Sequence, residues 1–115
     1  MKKAPASSLD TSARLFKACS DPVRLRLLNL LEGREVCVCH LHDALELPQP
    51  TVSRHLAYLR KTGLVVGRKD GLWVHYRLAK PAGELHRKLL DCVASLADLQ
   101  TTENDRKRLT RLTCC

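Results

Sequence analysis

Apolar positions recur along the chain at two periods. Between Leu9 and Ser20, the side chains of Leu15, Phe16 and Cys19 fall on one face of a short helix. Asp21-Pro22 restarts the chain, with aspartate as cap and proline at the first helical position. Val23, Leu27, Leu28 and Leu31 then form one stripe that stops at Gly33. A third helix is expected over roughly Cys39 to Leu45, with Glu46-Leu47-Pro48 as a turn. A fourth opens at Gln49-Pro50, turns Val52, Leu56 and Leu59 inward, and ends at Gly63. Two short helices joined by a tight turn make a helix-turn-helix, whose second helix enters the DNA major groove by its N-terminal residues.

The period then falls to two. From Leu64 to Leu78 two β-type runs flank Asp70-Gly71, a strong hairpin signal. Val74, Tyr76 and Leu78 alternate inward, and Trp73, His75 and Arg77 outward. Placed after a helix-turn-helix, the hairpin is a wing. A last long helix, about Ala82 to Gln100, repeats Leu85, Leu89, Cys92, Leu96 and Leu99 as an a/d seam suited to pairing with a twin helix and the first helix. The fold class is therefore mainly α with a β-hairpin wing, a winged helix-turn-helix forming a homodimer through its first and last helices. Residues 1–8 read as a disordered arm, 9–100 as the DNA-binding and dimerisation domain, and 101–115 as a charged tail ending in Cys114-Cys115.

Charge sharpens this picture. Residues 1–50 carry seven Lys/Arg and six Asp/Glu, whereas residues 51–115 carry thirteen and six, so the net charge is +1 against +7. A basic second half favours a polyanion. No apolar run approaches the length of a membrane span and no signal-peptide core is present, so a cytoplasmic location is expected and no membrane partner. There thiols stay reduced, and the six cysteines read as metal ligands, redox groups or small core residues rather than a disulfide frame.

The candidate DNA contacts are Gln49, Thr51, Ser53, Arg54 and His55 at the start of the fourth helix, and Arg68 and Lys69 beside the hairpin tip. Amides, hydroxyls and guanidinium groups at such places meet base edges or phosphates. His55 either donates to a phosphate or caps a neighbour. Cys37-Val38-Cys39 carries the second chemistry. On an ideal helix, residues i and i+2 point about 200° apart, so a shared ion needs a non-helical turn there, or an unwound first turn. Thiolates favour soft ions, and His42, one helical turn beyond Cys39, would add a ligand suited to zinc or cobalt. Cys92 and Cys19 fall on core-facing stripes. His40, His75 and His86 read as surface residues.

Three stretches resemble the ArsR/SmtB metal-sensing repressors, over about residues 9–100. They are Glu35-Val36-Cys37-Val38-Cys39-His40-Leu41, close to the family's metal box; Gln49 to Leu56, QPTVSRHL, similar to its recognition helix; and Asp70 to Leu78, similar to its wing. The last two look most like the arsenic-responsive branch. The resemblance implies a homodimeric repressor that holds an operator in double-stranded DNA and releases it when As(III) or Sb(III) binds cysteine thiolates. One position departs from the branch. Its box ends in a third cysteine, where this chain has His42. Either Cys37 and Cys39 suffice with hydroxide, or Cys114 or Cys115 arrives from a tail of the same or the partner subunit, or the site prefers cadmium, lead or zinc. The family's zinc pattern on the last helix begins at Glu84-Leu85-His86, but no later histidine completes it. No enzyme activity and no organic cofactor are expected. The competing classes are a thiol redox protein and a metal buffer.

Overall fold

Ser8 starts the first helix, its Oγ accepting the Thr11 N–H at 3.0 Å. The computed structural model describes residues 8–112. The expected arm therefore lies outside the described residues, except Ser8, which is a helix cap. Helix α1 spans Leu9–Ala18. Asp21 Oδ1 then accepts the N–H groups of Val23 and Arg24 at 2.8 and 3.2 Å, satisfying two orphan donors of α2, Pro22–Leu30.

Strand β1, Val36–Cys37, precedes α3, Val38–Leu45, which ends at a left-handed Glu46. Helix α4, Gln49–Lys61, follows, and Gly63 turns the chain at φ +83°. The hairpin consists of β2, Val65–Asp70, and β3, Trp73–Leu78. Its tip residues are Gly71-Leu72, and the positive φ of +61° falls on Gly71, where it costs nothing sterically. Strand β1 adds a third antiparallel strand, so the sheet order is β1-β3-β2 with Cys37 opposite His75. A two-residue strand carries no alternation to detect, and the sequence reading had none there.

The core sits where α2, α3 and α4 converge. Leu27, Leu28, Leu41, Leu45, Val52, Leu56, Leu59 and Leu64 are each 2% exposed or less. This apolar centre fixes the angle between α3 and α4 and hence the presentation of the front of α4.

The last third corrects the expectation of one helix from Ala82 to Gln100. The chain forms α5, Glu84–Ala94, one 3-10 turn, Ser95–Asp98, and then α6, Gln100–Arg111. The Ser95 hydroxyl donates to the Cys92 carbonyl, and the Thr102 hydroxyl to the carbonyls of Leu96 and Leu99. These side chains take carbonyls a continuous helix would need, and Leu99 is extended at φ −72°, ψ 146°. The chain thus turns back and lays α6 on α2 and α3.

Helix α6 docks mainly through polar groups. Asp105 is 1% exposed. Its carboxylate accepts from Arg26 Nε and Nη2 at 2.9 and 2.8 Å and from Arg108 Nη2 at 2.7 Å. The same arginines donate to the last carbonyls of α3: Arg26 to Leu45 at 2.8 Å, and Arg108 to Ala44 at 2.6 Å. Arg106 reaches Asn29 Oδ1 at 2.9 Å and the Ala97 carbonyl at 2.6 Å. Part of the basic charge of the second half is therefore spent inside the molecule.

Candidate thiol site and nucleic-acid interface

The box around Cys37 sits where the wing's sheet meets the helix-turn-helix. Cys37 ends β1 and caps α3 with extended backbone, φ −67°, ψ 143°. It is not helical, so the angular objection to an i, i+2 pair does not arise. Its Sγ lies 3.0 Å from the Sγ of Cys39 in the first turn of α3. Tetrahedral zinc at about 2.3 Å from each sulfur needs sulfurs about 3.8 Å apart. Closing on an ion therefore spreads this pair by less than about 1 Å and does not require α3 to unwind. Cys37 is buried and Cys39 half-buried.

His42 turns toward Asp43, with Nδ1 3.5 Å from Oδ1. Among the described residues, no three Cys, His, Asp or Glu side chains gather into a group that would hold a metal, so His42 does not join the two sulfurs. Cys114 and Cys115 lie outside the described residues. Beside Cys37 opens a cavity of about 710 Å³, walled by Val36, His40, Leu72, Trp73 and Leu109 among others. Leu109 belongs to α6, so three parts of the chain meet here: the box, the wing tip and the last helix.

The box is also tied to the wing by charge. Arg68 Nη2 donates to Glu35 Oε1 at 2.7 Å. This hydrogen bond holds the Glu35 carboxyl below its ordinary range. Arg68, expected to meet phosphate, is thus held by the residue two before Cys37. Lys69 is exposed at the next position.

At the front of α4, Gln49 and Arg54 are exposed, and Thr51 and Ser53 are half-buried. No side chain caps this helix. Its first N–H groups and its positive dipole end suit a phosphate. His55 is braced from behind, with Nδ1 3.3 Å from Arg24 Nη1 and 3.9 Å from Asp21 Oδ1. Arg24 is the residue the sequence reading missed. It donates to the carbonyls of Ala18 and Lys17 at 2.7 and 3.1 Å, and its guanidinium stacks 4.4 Å from the centre of the Tyr58 ring. It locks α1, α2 and α4 together behind the front of α4. Its sequence signal was its place as one of two arginines, Arg24 and Arg26, set among the leucines of α2.

The family model described as "Bacterial regulatory protein, arsR family" matches residues 21–66. An arsenical resistance operon repressor of Escherichia coli is 48% identical over 79 residues, 68% of this chain and 68% of that protein. The chain belongs to the ArsR family. Its function class is transcriptional repression, not catalysis. The SmtB repressor of Mycobacterium tuberculosis is 41% identical over 90 residues, covering 78% of this chain and 65% of that one. Among solved structures, the homodimeric winged helix-turn-helix DNA-binding domain from Mycobacterium bovis superposes with a TM-score of 0.66 at 34% identity, covering 85% of this chain and 88% of that one. The winged helix-turn-helix read from the sequence is thus the fold of this ArsR-family chain. No helix among the described residues is long and apolar enough to cross a membrane.

Several other ArsR-family positions differ from the sequence reading. Phe16, expected inside, is 55% exposed, Leu9 is 87% exposed, and Cys92 faces out of the single chain. They leave an apolar face on α1 and α5. Burial pushes the Cys19 thiol up, which keeps it protonated near neutrality. His86, expected on the surface, is 4% exposed. Its Nδ1 accepts the Ala82 N–H at 3.1 Å, which puts the proton of the neutral ring on Nε2, buried with no acceptor among the described residues.

Burial lowers the His86 pKa below 6.5. The unfolded chain therefore binds a proton that the folded chain refuses, and stability falls as pH drops below about 6.5. Urea unfolding between pH 8 and pH 5 is expected to show this decline and His86→Gln to flatten it. An equal slope in both proteins would remove His86 from the pH response.

Proposed function

We propose that this ArsR-family protein is a homodimeric repressor that releases its operator when a trivalent metalloid, As(III) or Sb(III), binds Cys37 and Cys39. The observation that carries this reading is the pair of sulfurs 3.0 Å apart at the junction of β1 and α3. The donor set is soft, which suits ions that prefer sulfur to nitrogen or oxygen. Similarity to the Escherichia coli arsenical resistance repressor supports the same ion class. The apolar face of α1 and α5 supports dimerisation, and two recognition helices per dimer match a palindromic operator.

Gln49, Thr51, Ser53 and Arg54 meet DNA, with Lys69 and Arg68 on the backbone and His55 held in place by Arg24. Arg54→Ala is expected to weaken operator binding by about 1–3 kcal/mol if it reads a base. A uniform loss over all sequences with a shallower salt dependence would instead make it a phosphate contact. Anisotropy on a labelled operator at several salt concentrations separates the two.

With arsenous acid each thiol proton leaves with an As–OH group as water, so binding releases no net proton, whereas a divalent cation such as cadmium or zinc displaces thiol protons and binds more tightly as pH rises. Spreading the sulfurs shifts β1, and with it the wing strand it pairs with and the front of α3. The deciding experiment is fluorescence anisotropy on a palindromic operator from the protein's own promoter, under reducing conditions. Arsenite, antimonite, cadmium and zinc are added in separate titrations. Release by arsenite at near-stoichiometric levels supports the proposal. Release only by cadmium or zinc keeps the repressor and overturns the metalloid assignment.

A further inference from the structure

We propose that Glu35 is the residue through which the thiol pair reports to DNA: its carboxylate competes with operator phosphate for the Arg68 guanidinium, and an ion on Cys37 and Cys39 fixes it in the competing position. This rests on the metalloid reading above and on the wing's contact with the DNA backbone, and adds the path between them.

The grip on Arg68 is the first observation. Arg68 donates from Nη2 to Glu35 Oε1 at 2.7 Å, and from Nε to Oε1 and Oε2 at 3.2 and 3.3 Å. Its Nη1 lies 3.9 Å from Asp70 Oδ2. The guanidinium is thus turned back along the wing between two carboxylates, and a phosphate that takes the same N–H groups must displace Glu35. The exchange is open, because the Arg68 and Glu35 side chains are 55% and 30% exposed and an exposed pair is weak. Arg77 and His75 also act on the Glu35 carboxylate, so it keeps cations nearby when Arg68 leaves for phosphate.

Placement is the second. Residues paired across neighbouring strands point to the same side of a sheet. Cys37 pairs with His75 on β3, and His75 with Arg68 on β2. The thiol and the arginine therefore share one face of the three-stranded sheet, and Arg68 crosses β3 to reach the residue two before Cys37. The cavity beside Cys37 has Glu35, Asp70 and His75 in its wall, so the ion site and this charge network adjoin.

The third observation is how lightly β1 is held. It is two residues long, Val36–Cys37, and it pairs with β3 alone. Cys39 belongs to α3, whose Val38, Leu41, Ala44 and Leu45 are buried. An ion closed on both sulfurs moves β1 slightly and ties it to the first turn of an anchored helix. Glu35 then stays where it holds Arg68, and the phosphate contact is lost.

The test uses full-length wild type, Glu35→Gln, Arg68→Ala and the double variant, in anisotropy titrations on the operator at several salt concentrations, with and without saturating arsenite. Glutamine keeps the size of the side chain and removes its charge. Without arsenite, Glu35→Gln is expected to bind roughly two- to fivefold more tightly. Arg68→Ala is expected to bind more weakly, with the slope of log affinity against log salt shallower by about 0.9. Adding Glu35→Gln to Arg68→Ala is expected to change neither quantity. With arsenite, the factor by which Glu35→Gln loses DNA is expected to be roughly three- to tenfold smaller than in wild type, while the ultraviolet absorption of the arsenic–thiolate bonds gives the same stoichiometry in both. Release of Glu35→Gln by the wild-type factor would overturn this inference and leave the metalloid reading intact. So would equal tightening by Glu35→Gln with and without the Arg68 side chain. Unchanged affinity and salt slope in Arg68→Ala would remove Arg68 from the DNA contacts, and this inference with it. A wild type that arsenite does not release would overturn the metalloid reading itself.

Discussion

Cys39→Ser is expected to bind the operator with unchanged affinity and to hold it when arsenite is added. Serine keeps the size of the side chain and removes the soft donor, and Cys39 is only half-buried, so packing changes little. Allosteric coupling of about 2–3 kcal/mol corresponds to roughly 30- to 150-fold weaker DNA binding in the induced state, and the substitution should remove that whole factor. Cys37→Ser is expected to do the same at some cost in stability, because Cys37 is 5% exposed in the core and paired in the sheet opposite His75. Anisotropy titrations of wild type and both variants on one operator measure this. Full arsenite release by Cys39→Ser would show that the sulfur pair is not the inducer site.

Asp105→Ala is expected to cause the largest loss of stability of any single charged-to-alanine change in the chain. The carboxylate accepts three hydrogen bonds from two arginines that also hold the last carbonyls of α3. Removing it leaves two like charges facing each other around a cavity. Breaking a buried pair by deleting one partner costs about 3–5 kcal/mol. The low end applies here, because the Arg26 and Arg108 side chains are 19% and 28% exposed and can turn toward water. A loss of about 3 kcal/mol lowers Tm by on the order of 10 °C in a domain of this size. Thermal unfolding followed by circular dichroism at a fixed protomer concentration reads this shift. A change under about 2 °C would mean that α6 is held by its apolar contacts instead.

These two sites differ in how plainly the sequence announces them. Cys37 and Cys39 were visible as a pair two residues apart, and the choice was whether the backbone between them is helical. That choice was open locally, because i, i+2 spacing suits a shared ion only off the helix. Pairing of Val36 with Tyr76 and of Cys37 with His75 decided it. Asp105 gave no such signal. It sits in a charged, sparsely apolar stretch that reads as a charged tail, and the partner that docks it on the rest of the molecule, Arg26, is 79 residues away along the chain.

The caps and periods fall on the other side of that line. Asp21 before Pro22, the stripe Val52, Leu56 and Leu59, and the Asp70-Gly71 signal each predict an element present in the structure. The seam from Leu85 to Leu99 was right for α5 and wrong for its length, because Ser95 and Thr102 compete for its carbonyls. The burial of His86 and the exposure of Phe16 were also misassigned. Both sit on helix faces whose neighbours come from elsewhere in the chain or lie outside it.

What the sequence determined alone is what a few consecutive residues decide: the four helices between Leu9 and Lys61, the Asp21 cap, and the hairpin that turns at Gly71. Such choices are set by backbone sterics, capping hydrogen bonds and the repeat of apolar side chains, all within one or two turns of chain. Only the tertiary structure decided that the sulfurs converge, that Arg68 answers to Glu35, and that α6 lies along α3. Those outcomes depend on contacts such as Arg26 with Asp105, 79 residues apart, and Arg108 with Ala44, 64 apart. Polar docking of this kind is specified by hydrogen-bond geometry in three dimensions, and no linear period encodes it.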